Sequence, residues 1–141
     1  MSSQRTERQK DPSGPSGLVR LFARIRWAWA RHKLLRSRTF DAPWYIVTYP
    51  EVAQQGWDPV TRYLAIGAAH GLKPHLLFDP VWYRTKRSPV GNPLLDYIGA
   101  GVALDPSPYF HTAYYLAAIG RPLRKGLSPL GDLGRLAAVA I

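Results

Sequence analysis

Thr39–Tyr49 reads TFDAPWYIVTY, and this stretch decides the fold. It returns as LFDPVWYRTKR at Leu77–Arg87 and, blurred, as YFHTAYYLAAI at Tyr109–Ile119. An aromatic ring heads each copy at Phe40, Phe78 and Phe110. A ring pair follows four residues later: Trp44-Tyr45, Trp82-Tyr83, Tyr114-Tyr115. Internal recurrence is read first because it governs the whole architecture. Each copy also carries a helix-start signal. Asp41 and Asp79 can cap a helix by accepting a hydrogen bond from an early backbone N–H. Pro43 and Pro80 fit the first turn, where a missing N–H costs nothing. The third copy has His111-Thr112 instead, and Thr112 is the expected cap. The first helix of the leading copy should bury Trp44, Tyr45, Val47 and Thr48 in part and end near Tyr49-Pro50, since the residue before Pro is pushed away from helical ψ.

A second start signal follows in every copy. It reads Gly56-Trp57-Asp58-Pro59, then Gly91-Asn92-Pro93, then Gly126-Leu127-Ser128-Pro129. Asp, Asn and Ser are preferred helix caps, and Pro is the preferred next residue. The helix that follows carries Val60, Tyr63 and Leu64 in the first copy, and Leu94, Tyr97 and Ile98 in the second. Gly67 and Gly99 are expected to close these helices in the left-handed conformation. Each unit therefore reads as helix, turn, helix, loop. The Phe-to-Phe period is 38 and then 32 residues, a spacing that belongs to helical arrays whose units cannot bury an apolar face alone. The second copy lacks residues around Lys86–Val90, where the first has Pro50–Gln55. The third should decay after Gly120 into a tail, Leu130–Ile141. The expected fold class is all-α, built of short helical-hairpin repeats, with units at about 39–76, 77–108 and 109–141.

Composition places the basic character outside these units. The 141 residues carry a net charge of +10. Residues 1–38 hold ten Lys or Arg against two acids; residues 39–141 hold nine against seven. Residues 1–17 are polar and rich in Ser, Gly and Pro, and read as a disordered tail. Residues 18–38 read as a basic amphipathic helix. Leu18, Leu21, Phe22, Ile25, Ala28 and Trp29 gather on one face at helical spacing, and Arg20, Arg24 and Arg31 stand opposite, with Trp27 near the basic side. Arginines interrupt every apolar run before it reaches the roughly 20 residues a spanning helix needs. The same interruption, with no small-residue cleavage site, argues against a secretory signal. Two readings stay open. The helix lies in an anionic membrane interface through residues 18–36, with Phe22, Trp27 and Trp29 immersed and Arg20, Arg24 and Arg31 at the head groups. Alternatively, its apolar face packs on the repeats or on a protein partner. Nucleic acid is not expected, because no recognised binding motif accompanies the basic stripe.

The full phrase FDAPWYIVTYPEVAQQGWDPVTRYLAIGAAHGLKP, Phe40 to Pro74, resembles the repeats that accompany bacterial glycosyltransferases and related cell-surface polysaccharide proteins. The second copy, FDPVWYRTKRSPVGNPLLDYIGAG, keeps the start and lacks the turn after Tyr-Pro. The third keeps only the ring positions and Ser128-Pro129. A basic leader ahead of such repeats is also similar to that family. The resemblance implies cytoplasmic polysaccharide assembly, peripheral at the inner face of the inner membrane. It implies an accessory role for the repeats: docking, spacing or acceptor contact, with a glycosyltransferase or another protein as partner. Nothing here corresponds to the nucleotide-sugar domain of longer members, and the apolar end Ala-Ala-Val-Ala-Ile suggests a truncated or degenerate copy.

No catalytic or metal-binding set emerges, and no cofactor is expected. A nucleotide-sugar transferase needs a domain of roughly 200 residues or more. Asp41, Asp58, Asp79 and Asp105 are explained by capping and turns. His32, His70, His75 and His111 are scattered, and no acid pair has metal-ligand spacing. With no Cys, disulfides and thiolate sites are excluded. The rings Trp44, Tyr45, Trp57, Trp82, Tyr83, Tyr114 and Tyr115 have two readings. One ring of each pair is core and the other seals the seam between copies, or the set forms a surface for sugars or a partner.

Overall fold

A computed structural model of the chain describes residues 17–100 and 104–139. The tail expected over residues 1–17 lies outside them except for Gly17, which already begins a helix. The fold is all-helical, and no strand forms among the described residues; Ser107 and Phe110 make one isolated bridge.

The long helix α1, Gly17–Ser37, comes first. Then come α2, Ala42–Thr48; α3, Pro50–Gln54; and α4, Pro59–Arg62, which runs on into a π-helical turn at Tyr63–Gly67. Next are α5, Pro80–Lys86, and α6, Pro93–Gly99. Last are α7, Thr112–Ile119, and α8, Pro129–Val139. The caps form as the sequence requires. Asp41 accepts from the Trp44 N–H at 3.1 Å, Asp79 from Val81 and Trp82 at 3.0 Å, and Asp58 from Thr61 at 3.1 Å. Asn92 accepts from Leu94 at 2.9 Å and Ser128 from Gly131 at 3.0 Å. Each such bond satisfies an N–H that the first turn leaves without a partner.

The core is a set of ring clusters, one per unit. Phe40, Tyr45 and Tyr63 form a triangle with centroid separations of 5.0, 5.3 and 6.0 Å. Phe78, Tyr83 and Tyr97 form another at 5.4, 5.6 and 6.1 Å. In both, the two tyrosines meet edge to face, the arrangement that a negative ring face and positive ring edge favour. Phe110 meets Tyr115 at 5.4 Å. There the third ring is missing because the position five past the cap is Leu133, where the other units have Tyr63 and Tyr97. Two backbone bonds also recur: the Asp41 N–H donates to the Pro74 carbonyl and the Asp79 N–H to the Pro106 carbonyl, both at 3.0 Å. Each joins the start of one unit to the loop that introduces the next.

Several sequence expectations are corrected. Gly67 and Gly99 are not left-handed; the positive-φ glycines include Gly56, Gly91 and Gly126, one ahead of each second helix. Gly67 is small because a Cβ there would strike the Tyr45 hydroxyl. Thr112 is not a cap. His111 holds that position without a side-chain bond, and the Thr112 N–H donates to Asp105 Oδ1 at 2.8 Å. Val47 is 81 % exposed. The segment after Gly120 does not decay, since α8 is the third unit's second helix and Asp132 within it is wholly buried. The extra Pro50–Gln55 segment of the first copy forms α3.

Candidate functional site

Helix α1 is two things along its length. Its last two turns belong to the body. Leu34 and Ser37 are fully buried. Arg31 Nη2 pairs with the cap Asp58 of α4 at 3.2 Å. The Lys33 ammonium lies where a Cβ on Gly99 would be 2.9 Å away, and Arg36 Nε stands equally close to Gly126. Thr39, just beyond the helix, exchanges a 2.6 Å hydrogen bond with the cap Ser128 of α8. A Cβ on Gly131 would collide with the Ser37 carbonyl. The end of α1 therefore lies across the starts of α4 and α8 and the end of α6. Arg31 meets the cap of α4, and Thr39 that of α8.

The first three turns are different. Leu18, Leu21, Phe22, Ile25 and Trp29 are all more than half exposed, Phe22 at 62 % and Trp29 at 60 %. On a wheel at 100° per residue, Leu18, Phe22, Ile25 and Trp29 centre on one direction. The body-facing positions Ala23, Trp27, Ala30 and Leu34 centre on nearly the opposite one. Trp27, expected beside the basic face, lines a space shared with Trp29, Leu64 and Leu95. Arg20 and Arg24 make no ion pair with any described residue. Arg31, expected to stand free with them, is taken up by Asp58. Leu18, Leu21, Phe22 and Ile25 therefore do not pack on the repeats, whereas Trp29 stands at their edge. The helix is held by its other side.

The rings of the repeat signature divide cleanly. Tyr45 and Tyr83 are fully buried and Tyr115 half-buried, whereas Trp44 and Trp82 are half-buried and Tyr114 is 78 % exposed. Trp44 packs edge-on against Tyr49 at 6.4 Å, and the Lys86 ammonium sits 5.6 Å above Trp82. These outer rings form no continuous stacking surface: no contact joins Trp44, Trp82 and Tyr114 among the described residues.

The inner tyrosines end in polar networks that spacing alone did not disclose. The Tyr83 hydroxyl donates to Asp96 Oδ2 at 2.7 Å, and Arg87 Nε pairs with the same oxygen at 2.7 Å. The Tyr115 hydroxyl donates to Asp132 Oδ2 at 2.6 Å, and Arg121 grips both Asp132 oxygens at 3.1 and 3.0 Å. Burial pushes the Tyr115 phenol up to about 12, helped by the carboxylate it faces. Burial alone would raise Asp132, but the bonds from Tyr115 and Arg121 hold it below the usual carboxylate range. Asp96 and Asp132 both lie four past the cap, and the first unit has Arg62 there. The Tyr45 hydroxyl is accordingly buried with no partner. Asp132 is fully buried, whereas Arg87, Asp96 and Arg121 stay partly exposed. Among the described residues, no cluster of three His, Asp or Glu could hold a metal ion. No helix there is long and apolar enough to cross a membrane.

No family model matches the chain, and neither do curated proteins or solved structures.

Proposed function

We propose that the protein is a non-catalytic docking module that sits on an anionic membrane surface by the outer face of α1. It presents its helical units to a glycosyltransferase or another component of cell-surface polysaccharide assembly at the inner face of the inner membrane. The observation that carries the membrane part is the orientation of α1. Leu18, Leu21, Phe22 and Ile25 are more than half exposed, and Arg20 and Arg24 beside them make no ion pair with any described residue. Such a helix gains from burying apolar chains at the head-group boundary and from roughly 1 kcal/mol per basic residue near anionic lipid. The polysaccharide part is supported by the resemblance of Phe40–Pro74 to glycosyltransferase-associated repeats. An accessory role is supported by the Tyr–Asp–Arg networks, which tie up the carboxylates of Asp96 and Asp132.

Co-sedimentation with vesicles of anionic and of zwitterionic lipid tests this reading. Binding should favour the anionic vesicles, weaken with salt, and be lost in Arg20→Glu/Arg24→Glu and in Phe22→Ser/Trp29→Ser. If both double variants keep binding as the wild type does, the outer face is not the contact. Turnover of a labelled nucleotide sugar by the chain alone would overturn the accessory role.

A further inference from the structure

We infer that the recess between the end of α1, the start of α2 and helix α8 is a binding site for a phosphate group, free or carried as a monoester. The recess has a volume of about 300 Å³, and its lining includes Arg38, Phe40, Asp41, His75 and Arg135. The site rests on these side chains alone and not on the membrane reading.

Its donors outnumber its acceptors. Arg38 follows α1 in the left-handed conformation, at φ 55°. This is an uncommon backbone for a residue with a side chain, and it carries a guanidinium with no hydrogen bond or ion pair to any described residue. Arg135 reaches the recess from α8. One of its nitrogens stands 3.9 Å from Asp132 Oδ1, while its buried Nε–H has no partner among the described residues. That Nε is closed off from the recess, so an anion there meets the partly exposed outer end of Arg135. His75 adds a third donor. Its Nδ1 accepts the Leu77 N–H at 2.9 Å, so the ring proton sits on Nε2, and burial keeps the imidazole neutral by lowering its pKa. Against these stands one carboxylate, Asp41, with one oxygen already committed to the Trp44 N–H. Two guanidinium groups and an imidazole N–H facing one carboxylate suit a tetrahedral oxyanion. Planar guanidinium donors match phosphate oxygens in pairs. Phe40 forms an apolar wall against which the carrier of a monoester would lie.

Calorimetric titration of the full chain with inorganic phosphate and with glycerol 3-phosphate, at fixed ionic strength against a chloride reference, tests the site. One equivalent should bind. Arg38→Gln should weaken binding about tenfold or more, as expected for loss of a charge-assisted bond. Arg135→Gln should do the same, but it also touches the Asp132 network. Arg38 lies on an exposed turn, so Arg38→Gln should keep the wild-type circular-dichroism spectrum, and it decides the matter. Vesicles carrying phosphatidic acid, compared with phosphatidylglycerol at equal charge, distinguish the sources. A preference for the monoester headgroup that Arg38→Gln abolishes assigns a lipid ligand, and binding of the soluble probes alone assigns a free one. No binding of any phosphate probe, or unchanged affinity in a folded Arg38→Gln chain, overturns the site.

Discussion

The Tyr83 hydroxyl donates a 2.7 Å hydrogen bond to Oδ2 of Asp96. The equivalent hydroxyl of Tyr115 meets Asp132, and that of Tyr45 meets nothing. Three tyrosines at one repeat position therefore make opposite predictions. Tyr83→Phe and Tyr115→Phe remove a bond to a carboxylate and should each destabilise by about 1.5–3 kcal/mol. Tyr45→Phe removes a buried polar group with no partner and should be neutral or stabilising. Urea unfolding of the three variants is the measurement. Equal losses in all three would mean that the networks contribute nothing beyond ring packing.

Position 131 tests the joint between α8 and the end of α1. A Cβ there would meet the Ser37 carbonyl oxygen, with the Ser37 carbonyl carbon at 3.0 Å, and backbone cannot swing aside as a side chain can. Gly131→Ala should cost about 1–3 kcal/mol through overpacking. Gly134→Ala lies one turn on, with only the Arg38 carbonyl oxygen near, at 3.9 Å. It should stabilise by up to about 1 kcal/mol, the helix-propensity gain of Ala over Gly. Opposite signs within one helix are the expected result. A neutral Gly131→Ala would mean that α8 does not rest on Ser37.

Acid should loosen the same region. Asp132 has a folded-state pKa below its unfolded value. Burial opposes the shift, and the Tyr115 and Arg121 bonds outweigh it. A depressed carboxylate contributes stability that is fully present above the unfolded pKa, about 3.9. That contribution is lost as pH falls through the folded value. Asp58 shifts the same way: burial again opposes, and the Thr61 bonds and Arg31 prevail. Tm should therefore fall as pH drops below about 4, and the Asp132→Asn curve should be flatter across that window. Parallel curves would remove Asp132 as the cause. At the alkaline end the sign reverses. Burial raises Tyr45 and Tyr115 to about 12, and raises Tyr63, Tyr83 and Tyr97 as well. Their stabilisation is intact below the unfolded value near 10 and is lost as pH climbs toward the folded one. The tyrosinate absorbance of these five should appear together with unfolding rather than ahead of it.

How far the chain could be read in advance follows from which forces are local. Caps are local, so Asp41, Asp58, Asp79, Asn92 and Ser128 mark their helices in the sequence itself. The ring positions follow from the recurrence, and the division of Tyr45 from Trp44 and of Tyr83 from Trp82 fits inner and outer rings. What stayed hidden depends on groups distant in sequence. Gly67 looks like a helix stop, but its size is set by the Tyr45 hydroxyl across the unit. Asp132 sits in a glycine-bearing stretch that suggests a tail, and only Tyr115 and Arg121 show why it is buried. For α1, the wheel grouped the apolar residues but could not say which face is docked. That choice is made by polar caps on α4 and α8, which hold Arg31 and Thr39, and by the socket around Leu34.

The two roles of α1 predict opposite responses to truncating its apolar residues. Leu34 is fully buried where the helix crosses the body. Leu34→Ala should cost about 2–5 kcal/mol, the transfer and cavity cost of a core leucine. Phe22 and Ile25 lie on the outward face, 62 % and 55 % exposed. Phe22→Ala and Ile25→Ala remove little surface that folding buries, and should stay within about 0.5 kcal/mol of wild type. The same pair should lower retention on anionic vesicles, whereas Leu34→Ala should reduce binding only as far as it unfolds the chain. Thermal melts of the three variants, run beside the vesicle assay, separate the cases. If Phe22→Ala melts as early as Leu34→Ala, the outer face is packed in solution and unavailable to lipid.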